Sequence, residues 1–154
     1  MTPILIQPAD PASPAAIACL SAYFQLLGDK IPGITPAHMP LPDPKAHTYR
    51  PPHGQFLIAW HGDQANGCVS LRTLDPGIGE VKRLWVAPHA RGQGLARRLM
   101  AAIETQARSL GLHSLKLDTN AALTEAIALY QTTGWHPTGP YSGFPSTHWF
   151  AKDI

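Results

Sequence analysis

The strand-like run Val81-Lys82-Arg83-Leu84-Trp85-Val86 leads through Pro88 into Arg91-Gly92-Gln93-Gly94-Leu95-Ala96 and then into a strongly helical segment. A strand that turns into a helix at such a point leaves a row of unpaired backbone N–H groups at the helix start, where the helix dipole also favours negative charge. Gly92 and Gly94 have no side chains to keep a phosphate from the backbone, and Arg91 and Arg97 bracket the turn with positive charge. The chain must therefore contain a βα unit whose turn is a cradle for an anion, and a nucleotide-like cofactor with a pyrophosphate is the expected occupant. A Walker loop is excluded, because no Gly-x-x-x-x-Gly-Lys-Ser/Thr run occurs. A dinucleotide fingerprint needs a third small residue, and Gly92-x-Gly94-x-x-Arg97 has an arginine there. A lone Gly-x-Gly also fits a simple tight connection, so the surroundings decide.

Those surroundings read as a mixed sheet with helices. Ile4-Leu5-Ile6 is a short apolar strand stopped by Pro8, and Asp10 and Ser13 are candidate caps for a helix. Ile17, Leu20, Phe24 and Leu27 recur at helical spacing, with an end expected near Gly28. Prolines crowd residues 29–52 and forbid a long helix there, leaving room for one short turn. That stretch is either an extended surface loop or a stiff wall of an acceptor pocket. Gln55 to Trp60 and Gly67 to Leu74 predict antiparallel strands joined through residues 61–66, and Asp75-Pro76-Gly77 predicts a turn into the strand Glu80 to Val86. Leu95, Leu99, Ile103, Ala107 and Leu110 line one face of a helix closed by Gly111. Ser114 to Asp118 follows as a strand parallel to the one before the crossover. Leu123 to Thr133 predicts a helix closed by Gly134, and Trp135-His136 and Thr147 to Ala151 supply the last strands. The expected fold class is α/β, with a mixed sheet in the order β-α-β-β-β-α-β-α-β-β and helices on both sides, forming a single domain over residues 1–154.

Arg/Gln-x-x-Gly-x-Gly/Ala after a hydrophobic strand, here Arg91 to Ala96, resembles the acetyl-CoA motif of the GNAT family of N-acetyltransferases. Ala126 to Trp135, with Leu129-Tyr130 on a helix ending at Gly134-Trp135, resembles the second signature of that family. The likeness is specific over residues 78–136 and looser elsewhere. It implies a bulged central strand splayed from its parallel neighbour, with acetyl-CoA in the gap as acyl donor. Backbone groups of Leu84, Trp85 and Val86 would meet the pantetheine arm, and Arg91, Gly92, Gln93, Gly94, Leu95, Ala96 and Arg97 would hold the pyrophosphate. A well-placed N–H at Leu84, aimed at the thioester carbonyl, is worth about 3–4 kcal/mol at the transition state.

The same resemblance implies catalytic roles. Glu80 lies eleven residues before Arg91, where several members carry a general base; the alternative is a strand-end carboxylate paired with Arg72 or Lys82. Tyr130 is the expected general acid, since a phenol with a pKa of about 10 can protonate a thiolate at neutral pH; the alternative is a core tyrosine. Members often carry a cofactor-contacting Asn seven residues before this tyrosine, where this chain has Leu123, so Asn120 or Thr119 is left as a substitute. His38, His47 and His53, in the proline-rich stretch, are further candidates for a base.

Composition narrows the class. A net charge of +2 from 12 basic and 10 acidic residues, without a block of like charges, argues against a nucleic-acid partner. The eight histidines form no pair or cluster at ligand spacing, so no metal is expected, and no Gly-x-Ser-x-Gly elbow points to a hydrolase. No signal peptide or membrane span is expected, and Cys19 and Cys68 read as buried thiols of a reducing compartment, which together suggest the cytoplasm. The expected activity is acetyl transfer from acetyl-CoA to the primary amine of a small molecule, directly within a ternary complex. The rivals are a protein lysine or N-terminal acetyltransferase, a non-catalytic acyl-CoA sensor, and use of another acyl donor. A homodimer is implied only by its frequency among similar proteins.

Overall fold

Seven strands form one mixed sheet in the spatial order β1-β2-β3-β4-β5-β7-β6. The structure is a computed structural model that describes residues 2–154. Along the chain, β1 (Ile4–Pro8) leads to α1 (Pro14–Lys30), then to β2 (Gly54–His61), β3 (Gln64–Asp75) and β4 (Ile78–Val86). They are followed by α2 (Leu95–Ser109), β5 (Ser114–Thr119), α3 (Thr124–Thr132), β6 (His136–Pro137) and β7 (His148–Asp153). The element order is the expected one. β1 to β4 pair antiparallel, β4 and β5 pair in parallel across the α2 crossover, and β5 pairs antiparallel with β7.

The period-2 alternation of strands divides the core in two. On one face Leu57, Ala59, Val69, Leu71 and Val81 pack against Leu95, Leu99, Ile103 and Ala107 of α2, and Tyr130 of α3 joins them. On the other face Phe56, Ile58 and Cys68 pack against Ala16, Cys19 and Leu20 of α1. Both cysteines are buried free thiols. No helix among the described residues is long and apolar enough to cross a membrane.

Three local details differ from the sequence expectation. Helix α1 passes through Gly28 to Lys30, where the Ile31 N–H bonds the Leu27 carbonyl. Glycine lowers helix stability by about 1 kcal/mol but does not forbid a helix. The β2–β3 connection is shorter than expected, because Gln64 to Asn66 belong to β3 and the turn is Gly62-Asp63, with Gly62 at φ +63°. Gln64 pairs with His61 and Ala65 with Trp60, and a register shift leaves Asn66 between paired positions. The proline-rich stretch contains two short 3₁₀ turns, Pro36–His38 and Ala46–Tyr49, and its Tyr49 and Ala46 are buried against the sheet.

Candidate active site

The site begins with an irregularity in β4. Ser70 of β3 faces Lys82 and Cys68 faces Trp85, so two residues on β3 are spanned by three on β4. The extra residue makes a β-bulge, and Arg83 adopts φ +58° within it. A left-handed arginine costs about 1–3 kcal/mol and must be held by its surroundings. The Arg83 guanidinium lies 2.8 Å from Asp43 Oδ2, stacks on the rings of Tyr49 and Phe24 at 5.0 and 5.5 Å, and donates to the Tyr49 hydroxyl.

Pairing between β4 and β5 covers only Ile78 to Glu80 against Ser114 to Lys116. Beyond that point the strands splay, and β5 turns its other edge to β7. Leu84, Trp85 and Val86 therefore line an opening instead of a ladder. A cavity of about 260 Å³ occupies it, walled by those residues, by Ala90 to Gly92 and Gly94 to Arg97, by Tyr23 of α1 and by Leu123 to Ala126 and Leu129 beside and on α3. Gly92 and Gly94 have φ +76° and +77°, and nothing lies within 4 Å of a Cβ built at either. That open cradle, at the start of α2, fits an extended ligand bearing a pyrophosphate. Arg91 is anchored by Nε donating to the Val86 carbonyl at 3.1 Å, and Arg97 donates to Thr132 Oγ1 at 3.1 Å; each guanidinium keeps donors for an anion. Gln93 does not line the cavity.

A second cavity of about 420 Å³ adjoins the first, and Tyr23 and Leu123 wall both. Its apolar side is Phe24, Leu27, Ile31, Ile34 and Met39; its charged side is Asp43, Arg72, Lys82, Arg83 and Asp118. The proline-rich stretch thus forms a wall of this cavity. Asn120 belongs here and not to the first cavity, with Nδ2 donating to the Pro145 carbonyl at 2.6 Å and Oδ1 accepting from the Ala122 N–H at 2.8 Å. His38 lines it too, whereas His47 and His53 do not.

Glu80 is 1% exposed and lines neither cavity. Arg72 Nε donates to its Oε1 at 2.7 Å, the Tyr141 hydroxyl donates to its Oε2 at 2.8 Å, and Lys82 Nζ lies at 3.8 Å. The paired-carboxylate geometry weighed in the sequence is present, but buried instead of exposed. Tyr130 lines neither cavity; its ring packs against Trp135 and Phe150, centroids 6.0 and 5.8 Å away, while Ala126 and Leu129 of the same helix face the first. Burial, then the charges of Tyr23 and Asp118, push the Tyr130 phenol well above the ordinary range. Tyr23, at the junction, is pushed up to about 12, mainly by burial.

From the sequence alone Asp118 has no role and Lys82 only that of a possible partner for Glu80. The splay turns both toward the second cavity. Ser142 and Ser146 donate to Asp118 Oδ2 at 2.7 and 2.9 Å, and Lys82 Nζ stands 3.7 Å from Oδ1. Burial alone would raise this carboxyl, but Lys82 and the two hydroxyls outweigh it and hold it below the usual carboxylate range.

Comparison with known proteins agrees with this geometry. Residues 21–135 match the acetyltransferase (GNAT) family. The chain is 32% identical over 158 residues to an IAA acetyltransferase of Azospirillum brasilense, covering 100% of each. A GNAT-family acetyltransferase of Staphylococcus aureus has the same fold, with a TM-score of 0.83 at 16% identity over 98% of this chain and 99% of that one. A GNAT-family acetyltransferase of Elizabethkingia anophelis, whose structure has acetyl-CoA bound, superposes with a TM-score of 0.68 at 18% identity over 98% of each. This protein belongs to the GNAT family of acetyltransferases and is an acyltransferase with acetyl-CoA as its donor.

Proposed function

We propose that this enzyme acetylates the primary amine of a small molecule by direct transfer, with both substrates bound at once. The observation that carries this reading is the meeting of two cavities at Tyr23 and Leu123, one shaped as a pyrophosphate cradle and one lined by apolar and charged side chains. Neither Cys19 nor Cys68 lines either cavity, which favours direct transfer over an acyl-cysteine. A cavity walled by residues 31–49 and by Pro145 and Ser146 suits a small acceptor better than a protein segment.

Bound acetyl-CoA supplies an activated acetyl group: the new C–N bond forms as the C–S bond breaks and the thiolate departs. The Leu84 N–H, on the bulged strand, is the assigned donor to the carbonyl oxygen. Residues 91–97 fix the pyrophosphate, with Gln93 contributing backbone only. Tyr130, kept protonated by burial, is the assigned proton donor to the leaving sulfur. Glu80 is the assigned base, and since its carboxylate stands behind Lys82, the amine proton reaches it through water beside that ammonium.

Calorimetric titration with acetyl-CoA, followed by thiol release over an amine panel, tests the reading. Acetyl-CoA binding with thiol release for one class of small amine is the expected result. Binding with release only for peptides would move the acceptor to proteins, and binding without any release would make the protein a sensor.

A further inference from the structure

We infer that the acceptor is a free α-amino acid with an apolar side chain, its carboxylate held by Lys82 and its amine by Asp118. This inference rests on the acetyltransferase reading above and names the substrate class for the same site.

Among the charged groups lining the acceptor cavity, most are already engaged. Arg72 is bonded to Glu80 and Arg83 to Asp43 and Tyr49. Lys82 is not. Its Nζ stands 3.8 Å from Glu80 and 3.7 Å from Asp118, close enough for charge attraction but hydrogen-bonded to neither. Its side chain is 27% exposed, and its ammonium carries three N–H donors at the cavity wall. Such an ammonium gains most from an anionic oxygen brought by a ligand. Asp118 is the mirror case: Oδ2 is occupied by two serine hydroxyls, while Oδ1 has only the distant Lys82.

The backbone explains why these two groups face each other. Glu80 and Lys116 are the last paired positions of β4 and β5, and Lys82 and Asp118 each lie two residues further. They share one face of the sheet at the point where the strands begin to diverge. Two residues beyond Lys82 is Leu84, the assigned oxyanion donor. A ligand amine at Asp118 is therefore held on the edge of the gap where the thioester would lie.

The pair is a cation and an anion 3.7 Å apart. Its complement is an anion and a cation equally close, which a carboxylate and an ammonium on one carbon provide. Arg72 and Arg83 are already neutralised by Glu80 behind the wall and by Asp43, so the Lys82–Asp118 pair is the one whose charges a zwitterion can match without adding net charge to the wall. The remaining wall, chiefly Phe24, Leu27, Ile31 and Ile34, is apolar and takes the side chain.

Two matched trios test this: L-leucine, L-leucinamide and 3-methylbutylamine, and L-phenylalanine, L-phenylalaninamide and 2-phenylethylamine, each with acetyl-CoA and thiol release as readout. The amino acid of each trio should exceed its amide and its decarboxylated amine by about 10- to 100-fold in kcat/KM, the value of one or two charge-assisted hydrogen bonds. Lys82→Met should erase that preference chiefly through KM, and Lys82→Arg should restore some of it. Equal or faster turnover of the amides or plain amines would overturn the acceptor class while leaving the acetyltransferase reading intact. So would Lys82 variants that lower all three members of a trio equally, as a merely structural lysine would. Acetyl-CoA binding with no thiol release from any of the six would overturn it too, and failure to bind acetyl-CoA would overturn the parent reading first.

Discussion

The two cavities that meet at Tyr23 are built from different materials. The cleft proposed for the cofactor is shaped by backbone: a bulged strand, a splay and two glycines at a helix start. The cavity proposed for the acceptor is lined by side chains drawn from α1, the proline-rich stretch, the splayed strands and the 138–147 loop. Backbone recognition tolerates many side chains and depends on a few conformations, whereas side-chain recognition depends on which groups converge.

The comparison can be broken most severely at Gly94. Gly94→Glu places a carboxylate in the cradle at φ +77°, and acetyl-CoA binding should be abolished by bulk and repulsion. Normal affinity by calorimetry would mean the cradle is not where the pyrophosphate lies. On the side-chain half, Glu80→Gln breaks a buried ion pair and should cost about 3 kcal/mol of stability in urea unfolding. A fall of about 100-fold in kcat for the folded variant supports the base role. Unchanged kcat would leave Glu80 only its pairing with Arg72 and Tyr141.

Tyr130→Phe should lower kcat by about 100-fold with acetyl-CoA affinity intact. If it does not, and Tyr23→Phe does, the acid is the tyrosine at the junction of the cavities. The smallest expected effect is on titration. All four tyrosines (Tyr23, Tyr49, Tyr130 and Tyr141) have phenols raised by burial first, with Glu80 and Asp118 adding to the rise at Tyr141. Each phenol holds its proton more tightly folded than unfolded. The stability this confers is fully present below pH of about 10 and is lost as pH rises through the folded values, at about 1.4 kcal/mol per unit. Tyrosinate absorbance should lag behind that of the denatured chain above pH of about 10; coincident curves would mean the phenols are exposed.

Much of the backbone half was legible in advance. The strand–glycine–helix run is local, and Gly92, Gly94 and Leu95 occupy the cleft that their spacing implied. The stripe from Leu95 to Ala107 packs as the helical period required. The side-chain half was not legible in the same way. Lys82 and Asp118 are far apart in the chain and approach each other only because β4 and β5 are neighbours whose pairing ends at Glu80 and Lys116. Asn120 was named as a stand-in for the asparagine missing at position 123, and its amide donates to the distant Pro145 carbonyl, a contact that no local spacing announces. Gly28 looked like a helix end because propensity is local, but the bond from Ile31 to Leu27 carries the helix past it.

By itself, then, the order of residues determined the succession of elements, the faces they bury and the glycine cradle, because these depend on spacing and on conformations available within a few residues. Tertiary structure decided the bulge at Arg83, the burial of Glu80 against Arg72 and the pairing of Lys82 with Asp118. Those depend on where strands diverge and which distant groups then share a desolvated space, and the strength of a charge is set by that space more than by the residue that carries it.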